Sequence, residues 1–187
     1  MGQIYCETER CLVRCLDADD FDNLLRAHEG PNMARYFPFP FDKDYLRGFL
    51  DRVRRAQEAD GYSFGLIIDR QTKEPIGMAG LAVVNFEASF TPTVEIGWRV
   101  REDQWGNGIA TETAHGMLTY GFQTLNLSEI VAFTAAINLP SKRVMERIGL
   151  RRREVGDFDH PMIDPASPLL RHVLYGLTLE EWRSQET

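Results

Sequence analysis

At 187 residues, with 43% hydrophobic and 26% charged content, the chain has the size and composition of one globular domain, residues 1–187, able to bury a sizeable core. A net charge of -7 offers no concentrated basic face for nucleic acid, and no apolar run approaches the roughly 20 residues that span a bilayer. Residues 1–14 show no apolar stretch like a secretory signal, so the expected compartment is the cytoplasm.

In chain order, residues 11–16 read as a first strand, and Asp17 as the N-cap of a helix with Ala18, Phe21, Leu24 and Leu25 on its apolar face, ended by Gly30 and Pro31. The segment Tyr36, Phe37, Pro38, Phe39, Pro40, Phe41 is too rich in proline for a helix; its rings pack over the core, wall a ligand pocket, or both. Asp42 then caps a second helix with Tyr45, Leu46, Phe49, Leu50 and Val53 on one face. Residues 63–69 and 75–84 form an antiparallel hairpin across a polar turn.

Residues 93–100 are a further strand, with Val94, Ile96, Trp98 and Val100 on one face and Glu95, Gly97 and Arg99 on the other. From Gly108 the period lengthens to that of a helix through Ala110, Ala114, Met117, Leu118, Gly121, Phe122 and Leu125. Residues 130–135 return to strand, Asn138 caps a helix with Pro140 in its first turn, and Gly149 ends it. Strand-like runs at 152–158 and 170–177 and a Thr178/Glu181 capping box complete the pattern. The order β-α-α-β-β-β-α-β-α-β-β describes a mixed α/β layer.

Cys6, Cys11 and Cys15 are odd in number and lack zinc spacing, so reduced thiols are expected. His28, His115, His160 and His172 share no metal-ligand spacing, and no metal is expected.

The chemistry concentrates where a strand leads through Trp105, Gly106, Asn107, Gly108, Ile109, Ala110 and Thr111 into a helix. A helix start presents unpartnered N–H groups and partial positive charge, which attract a pyrophosphate, and glycine lets the backbone approach its oxygens. A dinucleotide fingerprint would need a third glycine in a βαβ unit, and a P-loop would need Gly-Lys-Ser/Thr; neither is present. An ordinary helix-starting loop is the competing reading. Arg99, Arg101, Lys142, Arg143 and Arg147 could supply local positive charge for an anionic cofactor, and each could equally be solvated surface.

The runs Glu95-Ile96-Gly97-Trp98-Arg99-Val100 and Gly106-Asn107-Gly108-Ile109-Ala110-Thr111-Glu112, with Asn138-Leu139-Pro140-Ser141 and Val144-Met145-Glu146-Arg147-Ile148-Gly149-Leu150, closely resemble the GNAT acetyltransferase superfamily. Within it the chain is most similar to the group that acetylates ribosomal-protein N-termini, over about residues 9–177. Many relatives have Gln or Arg where Trp105 stands, although Trp is familiar in this subgroup.

The resemblance implies an α/β (α+β), mostly antiparallel sheet of about seven strands flanked by helices. The strands at 93–100 and 130–135 should splay to form a slot for acetyl-CoA. The pyrophosphate would take the N–H groups of Gly106, Asn107, Gly108, Ile109 and Ala110, beside Trp105 and Thr111. The pantetheine arm would pair with Trp98, Arg99 and Val100, and Asn138 and Ser141 would complete the cofactor contacts.

Acetyl transfer to an amine needs a proton acceptor and an acid for the leaving thiolate. Glu95, mid-strand beside the slot, is the first candidate for the base, against a salt-bridged sheet glutamate. Ser141 is the candidate acid because it shares a helix face with Val144, Met145 and Ile148; helix capping is the alternative, and Met145 stands where many relatives place tyrosine. Tyr36, Phe37, Phe39, Asp159 and His160 are the expected acceptor contacts, with His160 a possible proton relay against a structural role, and His172 reads as sheet packing. The implied activity is direct acetyl transfer to a primary amine, either a protein N-terminus or a small cationic amine. A non-catalytic acyl-CoA sensor is the alternative, and a homodimer is compatible with either.

Overall fold

The computed structural model describes residues 2–185, apart from the side chain of Glu154. Nine strands form one sheet: β1 (Ile4–Glu7), β2 (Cys11–Cys15), β3 (Phe64–Asp69), β4 (Pro75–Val83), β5 (Val94–Val100), β6 (Glu129–Ala135), β7 (Arg151–Arg152), β8 (Phe158–Asp159) and β9 (Arg171–Thr178). The sheet order is β1-β2-β3-β4-β5-β6-β9-β7, with β8 also paired to β9, and β5–β6 is its parallel pairing among antiparallel ones. Nine strands replace the expected seven. β1 carries too little apolar alternation to be read from sequence, and the run at 152–158 is broken by a 3-10 turn at Glu154–Gly156 into two two-residue strands.

Among the described residues five α-helices flank the sheet: α1 (Phe21–Ala27), α2 (Lys43–Asp60), α3 (Ile109–Thr119), α4 (Leu139–Arg147) and α5 (Leu179–Gln185). On one face α1 and α2 bury Leu24, Leu46, Phe49 and Leu50 against Leu66 and Met78. On the other, α3 and α4 bury Ala114, Met117, Leu118 and Met145 against Ile96, Val100, Ile130 and Ala132. Each strand of the middle sheet therefore feeds alternate residues to two cores.

Local chemistry explains most boundaries. The Asp42 carboxylate accepts the Tyr45 N–H at 2.8 Å and starts α2 as expected. Thr178 and Glu181 exchange reciprocal bonds of 2.9 and 3.2 Å, the capping box that starts α5. Asp17 does not cap α1: that helix begins at Phe21, and Asp20 occupies the N-cap position without a side-chain cap bond. The apolar pattern past Thr119 is carried by a π-turn at Tyr120–Thr124 rather than by a continuing α-helix. No helix among the described residues is long and apolar enough to cross a membrane.

Candidate active site

The central feature is the opening between β5 and β6. β4 and β5 pair in register from Gly77↔Val100 to Val83↔Val94, and β6 and β9 pair along their whole length. β5 and β6 share one bridge, Glu95↔Val131, beyond which they diverge. Hydrogen bonds from the Arg101 N–H to the Ile76 carbonyl (2.8 Å) and from the Val84 N–H to the Thr93 carbonyl (3.0 Å) fix the alternation. Residues 95, 97 and 99 turn their peptide groups to β4, while 96, 98 and 100 turn theirs toward β6. By the same logic the bond from the Ala136 N–H to the Arg171 carbonyl turns the peptide groups of Phe133 and Ala135 toward β5. The backbone of Trp98 and the N–H of Val100 thus face the slot. The Val100 carbonyl is occupied by the Trp105 indole N–H at 2.6 Å, and Arg99 directs neither backbone nor side chain there.

At the mouth of the slot the chain turns through Gly106 and Gly108, with φ of 79° and 80°, into α3. Those left-handed conformations suit glycine. No N–H group from Gly106 to Ala110 finds an acceptor among the described residues, so five donors surround the start of α3. Unpartnered N–H groups at a helix start are the arrangement that attracts an anion such as a pyrophosphate.

Arg10, which sequence reasoning missed, anchors the turn from β2's side. Its guanidinium donates to the Asn107 carbonyl at 2.9 Å and pairs with Glu112 at 2.6 Å. Glu112 also accepts from the Thr8 hydroxyl at 2.6 Å, which explains an acidic residue in this helix turn as a tie to the β1–β2 hairpin. Among the candidate cations, Arg101 is held by Asp103 at 2.7 Å and Lys142 donates to the Ala136 carbonyl at 3.3 Å; Arg143 and Arg147 are exposed on α4.

Glu95 projects from β5 toward the α1/α2 face at the level where the two strands part. Burial is the main cause that pushes its carboxyl up to about 7, against the opposing effect of the Arg99 charge. A carboxyl raised above its unfolded value of 4.5 opposes folding once ionised, increasingly from pH 4.5 to above 7. Glu95→Gln is accordingly expected to raise Tm at pH 8 by about 3 °C or more and to leave it unchanged near pH 4. Equal shifts at both pH values in a calorimetric scan would contradict this environment.

Ser141 lies on the other face, in the first turn of α4. The Asn138 carboxamide accepts its N–H at 3.3 Å and donates to the Thr134 hydroxyl at 2.9 Å, so Asn138 is the cap and the Ser141 hydroxyl has no partner among the described residues. Met145, one turn on, is buried in the core. The two candidate acid–base groups therefore flank the slot from opposite faces.

The acceptor-side residues fall into four groups. Phe37 and Phe39 join Phe41, Tyr45 and Phe49 in a chain of ring contacts 4.4 to 6.2 Å apart. Tyr36 instead packs, as Leu170 does, against the cluster of Ala135, Ile163 and Leu169, which brings the segment at 36–41 to the loop at 160–170. His160 sits against Phe86, Phe133, Phe158 and His172, with centroids 4.8 to 6.2 Å away. Burial and His172 push its pKa down to about 4, leaving a neutral imidazole. Asp159 is not brought to the site: it is exposed and accepts from Arg171 at 3.3 Å across β8 and β9. Phe86, Phe90, Phe133 and Phe158 were not foreseen, because they come from three separate segments and only the strand periodicity of Phe133 hinted at its face.

The cysteines are free; burial raises Cys6 to about 12 and Cys11 to about 11, so neither forms a thiolate nucleophile near neutrality. No cluster of His, Cys, Asp or Glu among the described residues could hold a metal ion.

Residues 10–151 match the family described as acetyltransferase (GNAT) domain. The uncharacterized N-acetyltransferase YnaD of Bacillus subtilis (strain 168) is 27% identical over 180 residues, covering 96% of this chain and 99% of its own. The crystal structure of a GNAT-family acetyltransferase from Bacillus anthracis superposes with a TM-score of 0.74 at 25% identity, over 95% of this chain and 99% of that one. The ribosomal-protein-S5-alanine acetyltransferase of Vibrio fischeri shares the fold, with a TM-score of 0.72 at 17% identity over 94% and 97% of the two chains.

Proposed function

The chain belongs to the GNAT acetyltransferase family, is an acetyl-CoA-dependent N-acetyltransferase, and on that premise we propose that it acetylates a small primary amine, with Glu95 as proton acceptor and Ser141 as proton donor. The observation that carries this reading is the divergence of β5 and β6 beyond the Glu95↔Val131 bridge, with orphaned peptide groups lining the slot and the Glu95 carboxyl on the face opposite α4.

Acetyl-CoA supplies the acetyl group as a thioester. The N–H groups of Gly106 to Ala110 would hold the pyrophosphate, and the Trp98 backbone and the Val100 N–H would pair with the pantetheine arm. An alkyl amine, with a pKa near the roughly 10.4 of lysine, arrives protonated and must lose its proton to become a nucleophile. Glu95, half-ionised near neutrality, accepts that proton on the α1/α2 face. The Ser141 hydroxyl, without a partner among the described residues, donates to the departing thiolate from the α4 face and regains its proton from the nitrogen, which sheds its second proton as the amide forms.

The packing of Tyr36 against the cluster of Ala135, Ile163 and Leu169 draws the two acceptor loops together and supports a small acceptor over an extended peptide. Free-thiol release from acetyl-CoA, measured over amino acids, polyamines, aminoglycosides and ribosomal-protein N-terminal peptides, tests this reading. Turnover with a small amine and none with peptides is the expected outcome; the reverse would assign a protein N-terminus. Ser141→Ala is expected to lower kcat by about 10-fold or more with little change in the KM for acetyl-CoA. An unchanged kcat would leave Ser141 a capping-turn residue.

A further inference from the structure

Arg99 stands on β5 two strand positions beyond Gly97, on the same face as Glu95. Its guanidinium lies 4.8, 5.0 and 4.7 Å from the ring centroids of Phe37, Phe41 and Phe49. The polar groups it touches are the His28 Nε2 at 3.4 Å and the Tyr45 hydroxyl, while the charges of Glu95 and Arg52 act on it without an ion-pair contact among the described residues. A guanidinium can only donate, so Nε2 accepts and the proton sits on Nδ1, which donates to the Leu24 carbonyl at 2.8 Å. Burial and the Arg99 charge push the His28 pKa down to about 3, so the imidazole contributes no charge.

The contrast within the chain is informative. Arg14 and Arg152, also largely buried, each grip one carboxylate with two nitrogens, Asp20 and Asp157 respectively. Arg99 has no carboxylate within ion-pair distance among the described residues, although Asp and Glu outnumber Lys and Arg by 28 to 21. Aromatic faces stabilise a cation but do not satisfy five N–H donors, and a desolvated charge without a counter-ion is unfavourable. Arg99 nevertheless keeps partial exposure, and two of the three rings around it, Phe37 and Phe41, come from the segment at 36–41, the third being Phe49 of α2.

We propose that the acceptor is an amine carrying a carboxylate, and that Arg99 pairs with that carboxylate while Glu95 receives the amine. This inference rests on the amine-acetylating reading of the site. Glu95 and Arg99 are four residues apart on one strand, about 13 Å between Cα atoms, so several bonds should separate amine from carboxylate. A small polycation, which the net charge of -7 alone would favour, does not fit a cationic guanidinium at this wall.

The test compares ω-amino acids of two to six carbons with their carboxamides in the thiol-release assay. Wild type is expected to favour the acid of the best length by about 10-fold or more in kcat/KM. Arg99→Gln should erase that preference, mainly through KM, and Arg99→Lys should restore part of it. Equal use of acid and amide by wild type, or a preference that survives in Arg99→Gln, overturns the proposal. Turnover without preference sinks this inference alone, whereas no turnover with any amine sinks the reading beneath it. In that case the guanidinium resonance of Arg99 in 15N-arginine-labelled protein still decides: it should shift on titration with 6-acetamidohexanoate and not with the corresponding amide. Absence of a selective shift overturns the proposal.

Discussion

Glu95→Gln is expected to lower kcat/KM by about 100- to 10,000-fold, the range typical of removing a positioned general base. Glutamine keeps the size and hydrogen-bonding reach of the side chain but cannot take a proton from the amine. The pH profile separates this from mere distortion. Because burial holds the carboxyl near 7, wild-type kcat/KM should climb through that pH as Glu95 ionises, and this limb should vanish in the variant. Stability should move the other way: the variant loses a poorly solvated charge, so it should be inactive and yet more stable at pH 8. An inactive, destabilised variant would indicate disrupted packing, and activity within about 3-fold of wild type would reduce Glu95 to a sheet residue.

What could be read beforehand was local. The glycine turn announces itself because two left-handed conformations and a run of free N–H groups are properties of six consecutive residues. The face of Glu95 follows from period-two alternation, and the starts of α2 and α5 from side chains three residues from their partners. What could not be read is assembled from distant segments. The cluster of Phe86, Phe90, Phe133 and Phe158 draws on a loop, β6 and β8, and the environment of Arg99 draws on α1, α2 and the segment at 36–41. Sequence placed Arg99 beside the cofactor, but alternation against β4 turns its peptide groups away from the slot and its side chain to the opposite core. The choice between Asp17 and Asp20 at the start of α1 was also invisible, because an arginine on a neighbouring strand decides it.

Removal of that second aspartate is expected to cost about 3–5 kcal/mol, lowering Tm by about 10 °C in a chain of this length. The Asp20 carboxylate accepts from Arg14 at 2.6 and 2.7 Å, from the Asp17 N–H at 2.7 Å and from Asn23 at 2.9 Å, in a site where its side chain is 5% exposed. Asp20→Ala would strand the Arg14 guanidinium, itself 15% exposed, and free the turn that leads into α1. Burial opposes ionisation, but the hydrogen bonds and the Arg14 charge prevail and hold Asp20 below the usual carboxylate range. Its contribution is therefore present above the unfolded value of 3.8 and lost as pH falls through the lower folded one. The Tm gap between wild type and variant should narrow in acid and stay constant from pH 5 to 8. Arg14→Met added to Asp20→Ala should recover part of the loss, since the stranded cation rather than the missing bonds dominates. A double variant as unstable as the sum of the singles would contradict that. The effect reaches the active site, because α1 carries the Leu24 carbonyl that orients His28, and His28 in turn accepts from Arg99. Below its lowered Tm, Asp20→Ala should keep kcat while raising the acceptor KM, which links a stability defect at the start of α1 to acceptor recognition on the same face of the sheet.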